Sequence, residues 1–239
     1  ESRGLGDVYK RQSLYKSTRF TQHYNMKNYV ITIMDNEKSV AAAKRCIISG
    51  KAHGLEIEHF PASTPENTKI QKEYIERGIP EEGFVEKYSR LENCMAAFLS
   101  HYRLWEIASK ENIEVTVFEH DAYLLGPIPD PLFYYGCVNL GEPSYGKWMQ
   151  PLYMGIGALV SKPYFPGAHA YRLNKTGADL LINGIKNARP TDVYLNKHWF
   201  PWLEEYHPWP VTCKDSFTTI QKEAGCLAKH NWNDDYEII

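Results

Sequence analysis

The chain has 239 residues, 43% hydrophobic and 13% aromatic, enough to bury one sizeable core. Its 27 basic and 29 acidic side chains are spread along the sequence and give a net charge of -2, so nothing supplies the counterion-release affinity of a nucleic-acid binder. No apolar run approaches the roughly 18 to 20 residues that span a bilayer, and the N-terminus lacks the apolar core of a signal peptide, which argues against an integral membrane segment.

Cys46, Cys94, Cys137, Cys213 and Cys226 are scattered, odd in number and never in a C-x-x-C pair, so they read as buried thiols in a reducing compartment. A soluble, cytoplasmic protein is expected. Residues 1–12, ESRGLGDVYKRQ, have no helical or strand periodicity and read as a remnant foreign to the rest of the chain. Segment 1–27 is accordingly expected to be disordered or non-native, and 28–239 to form a single domain.

NYVITIM, residues 28–34, is a β-branched apolar run that predicts a buried first strand. Asp35 and Asn36 come next, where they either contact the base and ribose of a nucleotide or simply make the turn. The next segment carries Val40, Ala43 and Ile47 at helical spacing and ends at Gly54, and LEIEHF then alternates as a strand. Strand, helix and strand within about 33 residues is the length of a βαβ unit. Residues 61–68 and 78–83 read as loops around a polar helix.

From residue 91, Leu91, Cys94, Met95, Phe98, Tyr102, Trp105 and Ala108 fall at i, i+3, i+4, i+7 steps over five turns. This predicts a long amphipathic helix, with Phe98 and Trp105 in packing roles and His101 as a hydrogen-bonded histidine near the core. VTVF, residues 115–118, predicts another buried strand. Beyond it come Pro/Gly/Tyr-rich loops around the apolar CVNL (137–140), then GAHAYRL (167–173) as a short strand. Asn174 is a plausible N-cap for the helix KTGADLLINGIKNA, and a further element begins at Pro190.

Glu119, His120 and Asp121 stand at the carboxyl end of the VTVF strand, where open α/β sheets place their ligand crevices. In extended backbone Glu119 and Asp121 point to one side and His120 to the other, giving two hard oxygen donors suited to Mg²⁺ or Mn²⁺. The same spacing also satisfies a solvated turn at a strand end.

Four blocks in order, NCMAAFLSHYRLWEIA, VTVFEHD, CVNLGEPSYG and GAHAYRLNKTGADLLI, resemble glycosyltransferase family 25, the lipopolysaccharide and collagen galactosyltransferases. Leu99-Ser100-His101, Glu119-His120-Asp121 and Gly167-Ala168-His169-Ala170-Tyr171 stand at the family's motif positions, and VITIMD is similar to its opening strand and turn. The resemblance covers about Tyr29 to Asp192. His120 replaces the middle acid of the family's triplet, and Ala168 replaces its usual threonine.

The resemblance implies an α/β fold with a GT-A-like (Rossmann-like) nucleotide-sugar-binding domain and a mostly parallel central sheet. It implies a metal, Mn²⁺ or Mg²⁺, at Glu119 and Asp121, and a nucleotide-sugar donor at His169; Glu119, His120 and, by their place at the end of the first strand, Asp35 and Asn36 complete the expected donor site. His169 is alternatively an ordinary strand histidine. Asp192 is either a dipole-stabilising acid at a helix start or, by the resemblance, the catalytic base, with Glu204 and Glu205 the next carboxylates.

The expected activity is transfer of a hexose, galactose from UDP-galactose, to a hydroxyl of a glycan or glycoconjugate acceptor with inversion. Tyr/Trp-rich segments 145–153 and 199–209 suit an acceptor groove. Rival readings are a non-catalytic carbohydrate- or nucleotide-sugar-binding module of the same fold and, without a nucleophile motif to support it, a metal-dependent phosphohydrolase.

Overall fold

The computed structural model describes residues 25–85, 89–214, 217–222 and 237–239. The foreign-looking residues 1–12 and Cys226 lie outside the described residues. The first strand, β1 (Met26–Thr32), starts two residues before the expected domain boundary. Asn36 then caps α1 (Glu37–Ala52), its side-chain oxygen accepting from Ser39 N at 2.9 Å. Only the end of LEIEHF is strand, as β2 (Glu58–Pro61). After α2 (Ile70–Arg77) comes the long α3 (Leu91–Glu111), which leads directly into β3 (Glu114–Glu119).

β2 and β3 lie on opposite sides of β1 and both run parallel to it, with Thr32 level with Pro61 and Ile31 level with Glu119. The carboxyl ends of three strands therefore share one edge. The chain order reverses across β1, and such switch points are where open α/β sheets form their crevices.

The full sheet has the order β2-β1-β3-β7-β5-β8-β6, with β5 (Cys137–Asn139), β6 (Gly155–Ala158), β7 (Ala170–Leu173) and β8 (Glu204–His207) completing it. β1, β2, β3, β5 and β8 share one direction, as a mostly parallel sheet requires, while β7 is antiparallel to both β3 and β5 and β6 is antiparallel to β8, which makes the sheet mixed. The cause is local. β5 ends at the carboxyl edge, the chain returns to that edge after residues 140–169, and a strand entering there must run backwards. That excursion delivers Ser144, Tyr145, Tyr164 and Gly167 to the crevice edge.

β7 is also shorter than GAHAYRL suggested. Gly167 and Ala168 have φ of 88° and 49°, a left-handed turn that an extended strand excludes. β4 (Ala122–Leu124) pairs with β9 (Val211–Cys213) outside the main sheet, and β10 (Phe217–Thr218) pairs with β11 (Glu237–Ile238). α4 (Lys175–Asn183) begins at Asn174, whose side chain accepts from Gly177 N, and stops at Gly184 before a short 3₁₀ turn. α5 (Thr191–Tyr194) is a single turn.

Alternation along the strands splits the core into two layers. Val115 and Val117 pack under α3, whereas Val30 and Phe118 pack under Ala43 and Cys46 of α1. α3 is buried on more than one face, because Leu99, Ser100, His101 and Leu104 join the predicted Met95, Phe98, Tyr102 and Trp105. Leu91, expected on that face, is 48% exposed at the first turn. Phe98 meets Phe84, Trp105 and Tyr194 edge-on at centroid distances of 5.3 to 5.6 Å, so truncating it to alanine would cost about 3–5 kcal/mol. Cys46, Cys94, Cys137 and Cys213 are all buried, and desolvation pushes the Cys46 thiol up to about 12. Among the described residues no helix is long and apolar enough to cross a membrane.

Candidate active site

A cleft of about 450 Å³ opens along the carboxyl edge of β1, β2 and β3. Its floor is apolar, from Ile31 of β1 and Ile33 just after it, Ala62 after β2, and Cys94 and Ala97 of α3. Ser63, Thr64, Asn93 and Ser100 add hydroxyl and amide groups to its lining. Glu119, His120 and Asp121 border it, as do Tyr145, Tyr164 and Asp192. Phe217 to Gln221 complete the wall, tied to the α3 side by Arg90 N to Ile220 O at 2.7 Å and Asn93 Nδ2 to Thr219 O at 3.0 Å.

Glu119 is the last residue of β3 and faces α3, where His101 Nε2 lies 3.1 Å from its Oε1. The polarity of this contact is set by the chain of bonds behind it. Trp105 Nε1 can only donate, and it donates to Tyr171 Oη at 2.8 Å. Tyr171 then directs its single hydroxyl proton to His101 Nδ1, 2.9 Å away, which leaves the imidazole proton on Nε2 facing Glu119. Burial pulls His101 down to about 3, so the ring is neutral and the tautomer is fixed. His101 is thus both the packed histidine that helical spacing implied and the residue that orients Glu119.

Burial, together with the charge of Asp192, raises the Glu119 carboxyl to about 8. Burial likewise raises Asp192, against the opposing effect of two hydrogen bonds: Tyr145 Oη donates to Oδ2 at 2.6 Å, and Val193 N donates to Oδ1 at 2.9 Å. Asp192 occupies the first turn of α5 and borders the same cleft as Glu119. These two residues, 73 positions apart in sequence, share one electrostatic environment.

The expected alternation fails one residue past Glu119. β3 ends there, and His120 and Asp121 form a turn before β4. Glu119 faces α3, while Asp121 lies on the α1 side, close enough to Cys46 for its charge to help raise that thiol. His120 also turns to α1, with Nδ1 3.0 Å from Ser39 Oγ and its ring stacked on Phe217 at 5.2 Å. All three residues border the cleft, from two sides of the turn.

Asp35 and Asn36 stand outside the cleft lining, Asp35 exposed in the turn and Asn36 engaged in capping α1. His169 is 2% exposed beneath the cleft, and a Cβ on Gly141 would come within 2.5 Å of its Nε2. Its carbonyl accepts from Glu119 N at 2.9 Å, so its backbone positions the strand end. Glu205 is fully buried and accepts from Val160 N, Ser161 N and Ser161 Oγ, and Glu204 accepts from Tyr135 N. Neither lines the cleft. Of the two aromatic segments only Tyr145 does, whereas Trp199 and Trp202 pack against the core.

Three carboxylates and two histidines border the cleft, and no lysine or arginine among the described residues does. A diphosphate would meet uncompensated negative charge there unless a cation accompanied it. Among the described residues no three His, Cys, Asp or Glu side chains stand together as a self-sufficient metal site. The donor set fits a hard divalent ion of the Mg²⁺ or Mn²⁺ kind, which takes one or two carboxylates and fills its remaining positions with phosphate oxygens and water. No family model matches the chain, and no curated protein matches it.

Proposed function

We propose that the protein is a GT-A-like glycosyltransferase that moves a hexose, galactose from UDP-galactose in the first instance, to a hydroxyl of a glycan acceptor with inversion. The observation that carries this reading is the cleft at the carboxyl edge of β1 and β3, which Glu119, Asp121 and Asp192 all border without a lysine or arginine among the described lining residues. Such a site suits a metal-bound diphosphate on one side and a base on the other.

In this account Glu119 and Asp121 would hold the cation, which when bound neutralises the diphosphate leaving group. His101, fixed by Tyr171 and Trp105, holds Glu119 in one orientation. The hydroxyl and amide groups of Ser63, Thr64 and Asn93 receive the nucleoside over the apolar floor. Asp192 takes the proton of the acceptor hydroxyl as that oxygen bonds to the anomeric carbon and the bond to the diphosphate oxygen breaks. Its placement in a short helix, with one oxygen held by Val193 N and the other by Tyr145, fixes both oxygens for that transfer. Phe217 to Gln221 shield the reacting centre from water.

The test is UDP release from a panel of UDP-sugars with Mn²⁺, with and without sugar acceptors. Release that requires an acceptor supports the transferase. Tight binding without release points to a binding module, and phosphate ester cleavage without a donor sugar points to a hydrolase.

A further inference from the structure

Lys162 is 9% exposed, and its ammonium lies 4.6 Å from the centroid of the Tyr145 ring and 5.4 Å from that of Tyr164. The two rings stack on each other at 6.3 Å. A buried ammonium is costly, and a segment that needed only bulk there would be served by methionine or leucine. The backbone on both sides of the lysine is held in place. Val160 N and Ser161 N are both held by the buried Glu205 carboxylate, and on the other side Pro163 O accepts from Lys197 N at 2.8 Å. Gly146 leaves the space, since a Cβ there would stand 2.9 Å from the Lys162 Nζ.

We infer that Lys162 is a positioning residue: its ammonium, set against the Tyr145 and Tyr164 rings, fixes the angle from which the Tyr145 hydroxyl holds Asp192 Oδ2. A cation on an aromatic face is attracted by the ring quadrupole and draws electron density from the ring, which makes the phenol a stronger donor. The resulting bond to Asp192 is short, 2.6 Å. Burial lowers the Lys162 pKa while the Asp192 charge opposes that shift, which puts the ammonium within electrostatic reach of the carboxylate. Lys162 does not line the cleft and touches no reacting atom. It acts through Tyr145 on the group that takes the acceptor proton.

This role rests on the transferase reading of Asp192. It is tested with Lys162→Gln, Lys162→Arg, Tyr145→Phe and the double variant Lys162→Gln/Tyr145→Phe, measuring acceptor-dependent kcat and the affinity for UDP with Mn²⁺. Lys162→Gln should lower kcat about 10- to 100-fold, the cost of a misaligned group, with UDP affinity unchanged within about twofold. Lys162→Arg, which keeps a cation against the rings, should recover most of the rate. In the Tyr145→Phe background the lysine change should add little, because its effect passes through the hydroxyl already removed.

Full additivity of the two changes, or a normal kcat in Lys162→Gln, would overturn the role. If the unsubstituted protein releases no UDP with any acceptor, the transferase reading itself has failed. The contact is checked independently of turnover by fluorine NMR of 3-fluorotyrosine at position 145. Its resonance should move in Lys162→Gln and in Asp192→Asn, and a resonance indifferent to both would refute the pairing.

Discussion

Replacing Glu119 by glutamine keeps the shape of the side chain and removes a carboxyl whose ionisation burial opposes. Its carboxyl rises from the ordinary 4.5 to about 8, which at about 1.36 kcal/mol per pH unit is an upper bound of about 5 kcal/mol. The side chain is 31% exposed, so solvent screens part of that, and about 1.5–3 kcal/mol is the realistic share. The sign comes from linkage. A carboxyl whose folded pKa lies above its unfolded value contributes fully below about pH 4.5, and the contribution is lost as pH rises through about 8. His101, pulled down to about 3, acts the other way and costs stability as pH falls below 6.5, a loss that largely cancels when variant and parent are compared at one pH. Urea unfolding at about pH 5 and about pH 8.5 is the assay. Metal-free parent protein should lose about 1.5–3 kcal/mol relative to Glu119→Gln between the two, and Mn²⁺ with UDP should remove that loss by replacing the proton. Parallel pH profiles for parent and variant would show that Glu119 is not held in the neutral form.

Asp192→Asn should lower acceptor-dependent turnover about 10²- to 10⁴-fold while UDP affinity measured by calorimetry barely changes, as expected for a general base. Tyr171→Phe strands both Trp105 Nε1 and His101 Nδ1 in the core, so chemical denaturation should show a loss of about 2–4 kcal/mol. Gly177→Ala drives a Cβ into Gly136 O and should cost at least about 1–3 kcal/mol by thermal unfolding, whereas Gly126→Ala, with nothing within 4 Å, should leave stability unchanged.

Where the chain's own periodicity decides the structure, the sequence was readable. α3 and β3 come from spacing and β-branching alone, and Asn36 and Asn174 cap their helices by a local bond. Elements whose identity depends on a distant partner were not readable. β6, Gly155-Ile156-Gly157-Ala158, has no strand pattern and exists because β8 lies beside it. The reversed direction of β7 likewise depends on where the 140–169 excursion returns.

The site divides in the same way. That Glu119 and Asp121 border a cleft follows from their place at a strand end, whereas Asp192, on its own an ordinary acid at a helix start, was drawn to that cleft only by the family resemblance. The turn at His120 and Asp121 was not legible, since it takes β9 pairing with β4 to bend the chain there. His101 looked inward on its helix, and only the fold reveals that its second nitrogen meets Glu119. Lys162 carried no signal at all, because its placement depends on a carboxylate 43 residues away in sequence, Glu205.

On the proposed reading the acidic cleft takes a nucleoside diphosphate only together with a divalent cation. Calorimetric titration of UDP tests it most directly, with Mn²⁺ and with EDTA, on the unsubstituted protein and on Asp121→Asn. UDP should bind with Mn²⁺, not in EDTA, and clearly more weakly to the variant. Equal UDP affinity in EDTA and Mn²⁺, indifferent to Asp121→Asn, would contradict it.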